Sequence, residues 1–347
     1  MLAAVYHGPD DVRVEQIRIP EIGPDEILLK VVSASICGTD LRIWHGHHRL
    51  YPAGTVRVPG HEVVGDIVQV GGQVRGMIQG QRVFVAPNMG CGHCRQCVAG
   101  NNNRCANYAA FGVTIDGAFA EYMHVPATAI QQGNLIPVQD GVDSAVAALI
   151  EPFACVLRGQ NALNIRPVDI VLVMGAGPIG IMHMLLARLR GARRVLVSEL
   201  AGDRLAQAAR QGADRVIDIS QEDLEAVVNE ESQGEGVDVV IVAAPAHQAQ
   251  ENALRLAAIG GRINFFGGLP KDRPTIAFDS NQAHYKELIV TATTACSTLD
   301  CWQAAEIVNS GKIDFSPLIS LRLPLNETEQ GLAAAENRKA MKVVLQP

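Results

Sequence analysis

Through residue 36 apolar and polar side chains largely alternate, as in Val12-Arg13-Val14 and Ile27-Leu28-Leu29-Lys30-Val31-Val32, with Gly8-Pro9-Asp10-Asp11 and Ile22-Gly23-Pro24-Asp25 punctuating the runs. A period of two broken by Gly and Pro predicts antiparallel strands joined by tight turns. Val63 to Gly71 and Gln81 to Pro87 are two more such runs. Between them and the first runs, Leu41 to Val58 shows neither the helix nor the strand period and reads as a loop. From Val142 to Leu163 the pattern turns helical and Ala-rich, and Pro167 to Met174 then forms a continuous apolar run. Unbroken apolar runs are what a parallel strand covered on both faces requires. Further runs follow at Arg194–Ser198, Arg215–Ile219, Asp238–Ala243, Arg262–Gly268 and Glu287–Thr291, most of them separated by helical stretches. Six strands alternating with helices predict a doubly wound parallel sheet. The remainder supplies helices at Leu299–Ser310 and Glu327–Glu336 and a closing strand Lys342-Val343-Val344-Leu345. The expected organisation is an α/β chain of two domains. A β-rich one spans 1–153, a doubly wound one spans 154–290, and 291–347 returns to the first.

Composition narrows the class without changing this picture. A chain of 347 residues with 48% hydrophobic side chains can bury two sizeable cores. A net charge of -7 and the absence of a Lys/Arg-rich block argue against nucleic acid as a partner. No apolar run reaches the roughly 18 residues of a membrane span. The start, Met1-Leu2-Ala3-Ala4-Val5, lacks a charged signal-peptide beginning, so a cytoplasmic location is expected.

The cysteines carry the first chemical signal. Cys91, Cys94 and Cys97 form two C-x-x-C steps sharing their middle residue, and Cys105 follows a short loop later. Such spacing in a lobe at about 88–108 suits one tetrahedral zinc with a closed thiolate shell, hence a structural site. Four thiols fill that shell, which leaves His93 outside it. A second donor set is spread along the chain: Cys37-Gly38-Thr39-Asp40, Pro59-Gly60-His61-Glu62 and Glu151-Pro152. Thiolate, imidazole and carboxylate can hold a zinc that keeps a position open. Thr39 stands where a proton relay would need a hydroxyl, and Asp40 where an imidazole would need an orienting acid. The segment Leu41–Val58 adds Arg42, Trp44, His45, His47, His48, Arg49 and Tyr51, which line a substrate cleft or simply face solvent.

The run ending at Met174 passes into Gly175-Ala176-Gly177-Pro178-Ile179-Gly180 and then a helix. In this strand–turn–helix setting G-x-G-x-x-G brings backbone close to a pyrophosphate at a helix N-terminus. Glu199 ends the next strand, about 20 residues on, where a ribose diol contact falls. It would repel a 2′-phosphate and favour NAD; alternatively it caps the following helix. Arg204 either approaches such a phosphate or packs along the adenine.

Together these motifs resemble the zinc-dependent medium-chain dehydrogenase/reductase family over nearly the whole chain, and within it the polyol (sorbitol-like) and threonine dehydrogenase branch. The resemblance implies a GroES-like catalytic domain, a Rossmann domain, an active site in the cleft between them, and a homotetramer or dimer. It implies Cys37, His61 and Glu62 as catalytic zinc ligands, with Glu151 as the fourth or as the residue holding the zinc's water. Cys155, one helical turn on, is the rival ligand. Backbone around Phe266, Gly267 and Thr293 would fix the nicotinamide carboxamide, and Lys342 would reach the pyrophosphate. The implied reaction passes hydride from a secondary alcohol to NAD⁺ while Thr39 carries the proton outward. A polyol or sugar derivative is the expected substrate; the alternatives are an amino-alcohol such as threonine and a non-catalytic nucleotide-binding relative. Two departures fall on the substrate side. Arg42 stands where many polyol dehydrogenases have His, suiting either an anionic substrate group or a structural contact. Thr291-Ala292-Thr293-Thr294-Ala295 replaces a Gly- and Tyr-containing turn. Cys296 and Cys301 are expected to be inert buried thiols.

Overall fold

A computed structural model describes residues 1–347 and divides them into two compact units, Met1–Ala154 with Cys296–Pro347, and Cys155–Ala295. In the first unit the strand Ile27–Ser35 is the organising element. Its antiparallel neighbours are Glu62–Val70, Tyr122–Val125 and the C-terminal Lys342–Gln346. The full order is Ile319–Pro324, Lys342–Gln346, Ile27–Ser35, Glu62–Val70, Arg82–Val85 and Leu135–Pro137. The inward positions Ile27, Leu29, Val31, Val63, Ile67, Val83 and Val85 join Phe111 and Phe119 in one core. The predicted alternation is therefore a half-buried sheet, as the period of two requires.

The second unit holds a six-stranded parallel sheet in the order Arg215–Asp218, Arg194–Glu199, Ile170–Met174, Val237–Val242, Ala257–Phe265, Ile289–Ala292. The strand order reverses at Ile170–Met174, whose five residues are all buried. Doubly wound sheets bind their ligands outside the carboxyl end of such a strand, and Gly175–Gly180 begins there.

One sequence expectation needs correcting at the level of elements. The supposed loop from Leu41 begins inside a helix, Gly38–Trp44. Seven residues are too few for a hydrophobic period to stand out. Asp40 closes the helix start by accepting from Cys37 N–H at 2.8 Å, an N3 carboxylate reaching back to the N-cap. No helix is long and apolar enough to cross a membrane.

Candidate active site and metal centres

The strand pairing of the first unit gathers the predicted catalytic residues. Ser35 on the central strand lies opposite Glu62 on its neighbour and Val344 on the C-terminal strand. Cys37 follows Ser35 by two residues and is the N-cap of the short helix, with extended backbone. His61 immediately precedes the neighbouring strand. The turn that aims it depends on Gly60, with φ of +95° and no room for a side chain: a Cβ would sit 2.4 Å from the Phe119 ring.

One ligand atom each from Cys37, His61 and Glu62 lies within 4.8 Å of the others. Asp40 Oδ1 stands 3.5 Å from His61 Nδ1, while its Oδ2 holds the Cys37 N–H. One carboxylate thus braces the helix that presents the thiol and sets a negative charge beside the ring, although Oδ1 and Nδ1 form no hydrogen bond at that distance. Burial alone would lower the pKa of His61, but Asp40 and Cys37 outweigh it and hold the ring well above its ordinary value.

Lys342 departs from the expected pyrophosphate contact. Its buried ammonium donates to Glu62 Oε2 at 2.6 Å and to Ile36 O at 2.8 Å. The pairing of Lys342–Gln346 with the central strand brings it there, a long-range event that no local pattern foretells. Its signal was a cation at the head of an otherwise apolar closing strand. Glu62 is wholly buried, and its Oε1 has no hydrogen-bond partner. An orphaned oxygen on a buried carboxylate clustered with a thiol and an imidazole is costly unless a cation accompanies it. These residues fit a zinc ion. Glu151 lies outside that set of three, and its Oε1 accepts from the Cys296 thiol at 3.6 Å. Burial raises the Glu151 pKa and the charge of Glu62 adds to this, while His61 and Lys342 act against it. Glu151 therefore belongs to the same electrostatic neighbourhood.

Thr39 Oγ1 accepts from Arg42 Nη2 at 3.0 Å, so the residue at the unexpected Arg position touches the expected relay hydroxyl. Thr39 and Arg42 stand three apart, on the same side of the helix.

The four-Cys lobe is equally specific. One sulfur from each of Cys91, Cys94, Cys97 and Cys105 falls within 4.8 Å of the rest, with Cys94 at 3.5 Å from Cys97 and 3.8 Å from Cys105. Tetrahedral zinc with Zn–S bonds of about 2.3 Å places its sulfurs about 3.8 Å apart. Backbone N–H groups of His93 and Cys94 pull the Cys91 thiol down to about 6, while burial pushes Cys97 up to about 12. Four crowded thiolates need a cation to coexist. The His93 ring instead faces Cys91 O at 2.8 Å.

In the second unit Gly177 is the N-cap of the helix Pro178–Leu189, with Pro178 at its first position and Ile179 and Gly180 in its first turn. A Cβ on Gly180 would lie 1.8 Å from Gly175 O, so glycine alone permits this approach of helix to strand end. Glu199 does not cap the following helix Gly202–Arg210, whose N-cap is Ala201 with no side-chain bond; its Oε1 accepts from Leu200 N–H at 2.7 Å, and its Oε2 from Ala176 N–H at 3.0 Å. It thereby ties the glycine turn to the next strand; Oε1 also accepts from Ala201 N–H at 3.4 Å, whereas Oε2 holds only the Ala176 N–H. Arg204 reaches Glu199 Oε2 at 4.0 Å. Phe266 and Gly267 donate their N–H groups to Val242 O at 3.1 and 2.9 Å, and the Gly267 carbonyl accepts from Gln250 Nε2 at 2.9 Å. Thr293 Oγ1 is buried without a hydrogen-bond partner, as a group awaiting a ligand would be.

Comparison with known proteins places this arrangement. Residues 23–137 match the alcohol dehydrogenase GroES-like domain, and residues 178–310 match the zinc-binding dehydrogenase domain. The chain is 34% identical over 338 residues to an L-threonine 3-dehydrogenase of Chromobacterium violaceum, covering 96% of each chain. It matches a Sinorhizobium meliloti chain, described as a zinc-binding dehydrogenase and solved with NADP, at a TM-score of 0.92 and 32% identity, over 100% of this chain and 99% of that one. An Escherichia coli alcohol dehydrogenase solved with NADH matches at 0.90 and 28%, over 100% and 99%. The chain belongs to the zinc-dependent medium-chain dehydrogenase/reductase family. It is an oxidoreductase that acts on an alcohol and uses zinc and a nicotinamide dinucleotide.

Proposed function

We propose that this enzyme oxidises a secondary alcohol of a polyol or sugar derivative, passing hydride to NAD. The carrying observation is the buried set of Cys37, His61 and Glu62, with its orphaned Glu62 oxygen, in a segment that also presents the Thr39 hydroxyl. These three residues would hold the catalytic zinc, and Glu151 completes their surroundings. Cys91, Cys94, Cys97 and Cys105 would hold a second zinc of structural role. When bound, the catalytic metal supplies Lewis-acid polarisation of the substrate oxygen, and the coenzyme takes up the hydride. Thr39 accepts the substrate's proton into a hydrogen-bonded chain, with Arg42 donating to the same oxygen and fixing its lone-pair direction. Arg42 itself cannot act as a base, because a guanidinium does not lose its proton in this pH range. The proton therefore leaves Thr39 by another acceptor.

Asp40 orients His61, and Lys342 holds Glu62. Gly175, Gly177, Pro178, Ile179 and Gly180 would receive the pyrophosphate. Glu199 would accept from the adenosine ribose and favour NAD over NADP, with Arg204 alongside. The turn at Phe266 and Gly267 and the hydroxyl of Thr293 would bind the carboxamide. Glu151-Pro152 is the pattern that supports a polyol. A second reading, oxidation of an amino-alcohol, is favoured by the 34% identity to L-threonine 3-dehydrogenase. An assembly of several identical subunits in the cytoplasm is the setting we infer.

The test is reduction of NAD⁺ and NADP⁺ against polyols, sugars, sugar phosphates, threonine and simple secondary alcohols, with zinc measured on the same sample. Turnover of polyols with NAD⁺ and two zincs per chain is expected. Turnover confined to threonine would replace the substrate class. No turnover with one zinc would overturn the catalytic assignment.

A further inference from the structure

Two thiols that the reaction does not use meet at the start of the helix Thr298–Asn309. Ser297 is its N-cap, and Ser297 and Asp300 form a capping box: Ser297 N–H donates to Asp300 Oδ2 at 2.8 Å and Asp300 N–H to Ser297 Oγ at 3.2 Å. A helix start of this kind commonly carries a contact between the residue before the cap and the fourth residue after it. Here those residues are Cys296 and Cys301. Their sulfurs stand 3.5 Å apart and both are fully buried. Cys296 is also held from outside the helix, its carbonyl accepting from Asn88 Nδ2 at 2.8 Å, and its thiol donates to Glu151 Oε1 at 3.6 Å.

We infer that Cys296 and Cys301 are an oxidisable pair, and that their disulfide weakens the active site by removing the hydrogen-bond donor to Glu151. The helix cap and Asn88 hold both backbones with the sulfurs already 3.5 Å apart, against the roughly 2.05 Å of an S–S bond. Hydrogen peroxide is the oxidant the chemistry calls for. One sulfur attacks its O–O bond, giving a sulfenic acid and water; the other displaces the sulfenic oxygen as a second water and forms the disulfide. Two thiols lose two electrons and two protons, and hydrogen peroxide is reduced to two waters. Full burial means that the oxidant, close to water in size, enters during local opening, so the reaction is slower than at an exposed thiol. Once oxidised, Cys296 has no S–H, and Glu151 Oε1 loses that donor. Loss of one hydrogen bond to a buried carboxyl corresponds to about tenfold.

The effect on activity rests on the proposed place of Glu151 at the catalytic metal; the chemistry of the pair does not. The two are separated by treating zinc-loaded enzyme with graded hydrogen peroxide and blocking residual thiols. Trypsin then yields the peptide Glu287–Lys312, which contains Cys296 and Cys301 and no other cysteine. The expected result is a peptide lighter by two hydrogens and unreactive to the blocking reagent. Turnover should fall and release of one zinc to a chelator should quicken, each about tenfold, with both reversed by dithiothreitol. Cys301→Ser and Cys301→Ala enzyme should resist this loss. A peptide that keeps both thiols while other cysteines oxidise would overturn the inference. So would a disulfide that leaves turnover and zinc release unchanged. Untreated enzyme without turnover on any alcohol would instead count against the proposed function, whatever the peptide shows.

Discussion

Glu62 shows how much a single carboxylate can be asked to carry. Its Oε2 accepts from Lys342 at 2.6 Å, its Oε1 has no partner, and one of its oxygens lies within 4.8 Å of ligand atoms of Cys37 and His61. A buried ion pair is held in place by excellent geometry or it is a liability. Here the ammonium also donates a hydrogen bond to Ile36 O, between the strand Ile27–Ser35 and Cys37. The metal assignment at this residue level is checked by Cys37→Ala. That enzyme is expected to lose one of two zincs, keep the four-Cys zinc, and lose about a thousandfold or more in turnover, since the metal supplies several kcal/mol of charge stabilisation. Metal analysis and single-turnover kinetics decide it. Glu199 presents a separable case because it serves both the glycine turn, through Ala176 N–H, and the proposed ribose contact. Glu199→Ala should weaken NAD binding by about tenfold, the value of a hydrogen bond to a charged group, and relax discrimination against NADP. Glu199→Gln keeps an acceptor for Ala176 and isolates the charge. An unchanged coenzyme ratio in both would remove the ribose role.

At the scale of elements, the turn from Ile170–Met174 into Pro178–Leu189 depends on the absence of one atom. A Cβ at Gly180 would meet Gly175 O at 1.8 Å, and that oxygen belongs to fixed backbone. Gly180→Ala should therefore cost about 3 kcal/mol, at the upper end of overpacking losses, and abolish coenzyme binding. Calorimetry with and without NAD reads both effects. A second device joins the turn at Asp10, the end of the helix Gly38–Trp44 and the end of the helix Thr328–Glu336. His45 Nδ1 stands 2.6 Å from Asp10 Oδ1, and His45 Nε2 is 2.6 Å from Glu336 Oε1. Both ring nitrogens can donate only in the imidazolium. The bond to Asp10 raises the His45 pKa above 6.5, burial opposes it, and Glu336 raises it further. A folded-state value above the unfolded one adds stability that is fully present below about 6.5 and fades as pH rises through the folded value. The melting temperature should fall as pH rises above about 6.5, and His45→Gln should flatten that part of the profile. An identical slope in the variant would show that other groups set it.

Across the whole molecule, the first unit is completed by residues that the chain adds last. Lys342–Gln346 pairs with Ile27–Ser35 across more than 300 residues, and the second unit is the insertion between them. The two proposed metal sites of this unit differ in what would hold them. The four-Cys lobe draws all its ligands from Cys91 to Cys105, whereas the other set needs the sheet to bring Cys37 beside His61 and Glu62. Progressive chelation should therefore remove the dispersed site's zinc first and leave the fold intact, since its residues also have protein partners. Loss of the four-Cys zinc should follow with local unfolding of residues 88–108. Zinc release followed alongside hydrogen exchange in that segment tests the order; simultaneous loss would contradict it.

Much of this was legible in the amino-acid order, wherever the chemistry is local. The C-x-x-C steps, the glycine turn between an apolar run and a helix, and six apolar runs spaced by helices all act over a few residues, so spacing reveals them. The short helix at Gly38–Trp44 escaped because one turn and a half leaves too little period to read. Tertiary structure decided the rest. Lys342 faces Glu62 and not the expected pyrophosphate, because strand pairing across the length of the chain sets its neighbour. Arg42 bonds Thr39, and Cys296 bonds Glu151 and meets Cys301, since side-chain partners depend on packing as well as on residue type. Sequence determined which donors, hydroxyls and glycines this enzyme possesses. Folding alone determined which of them share one buried space, where low dielectric makes each partner matter.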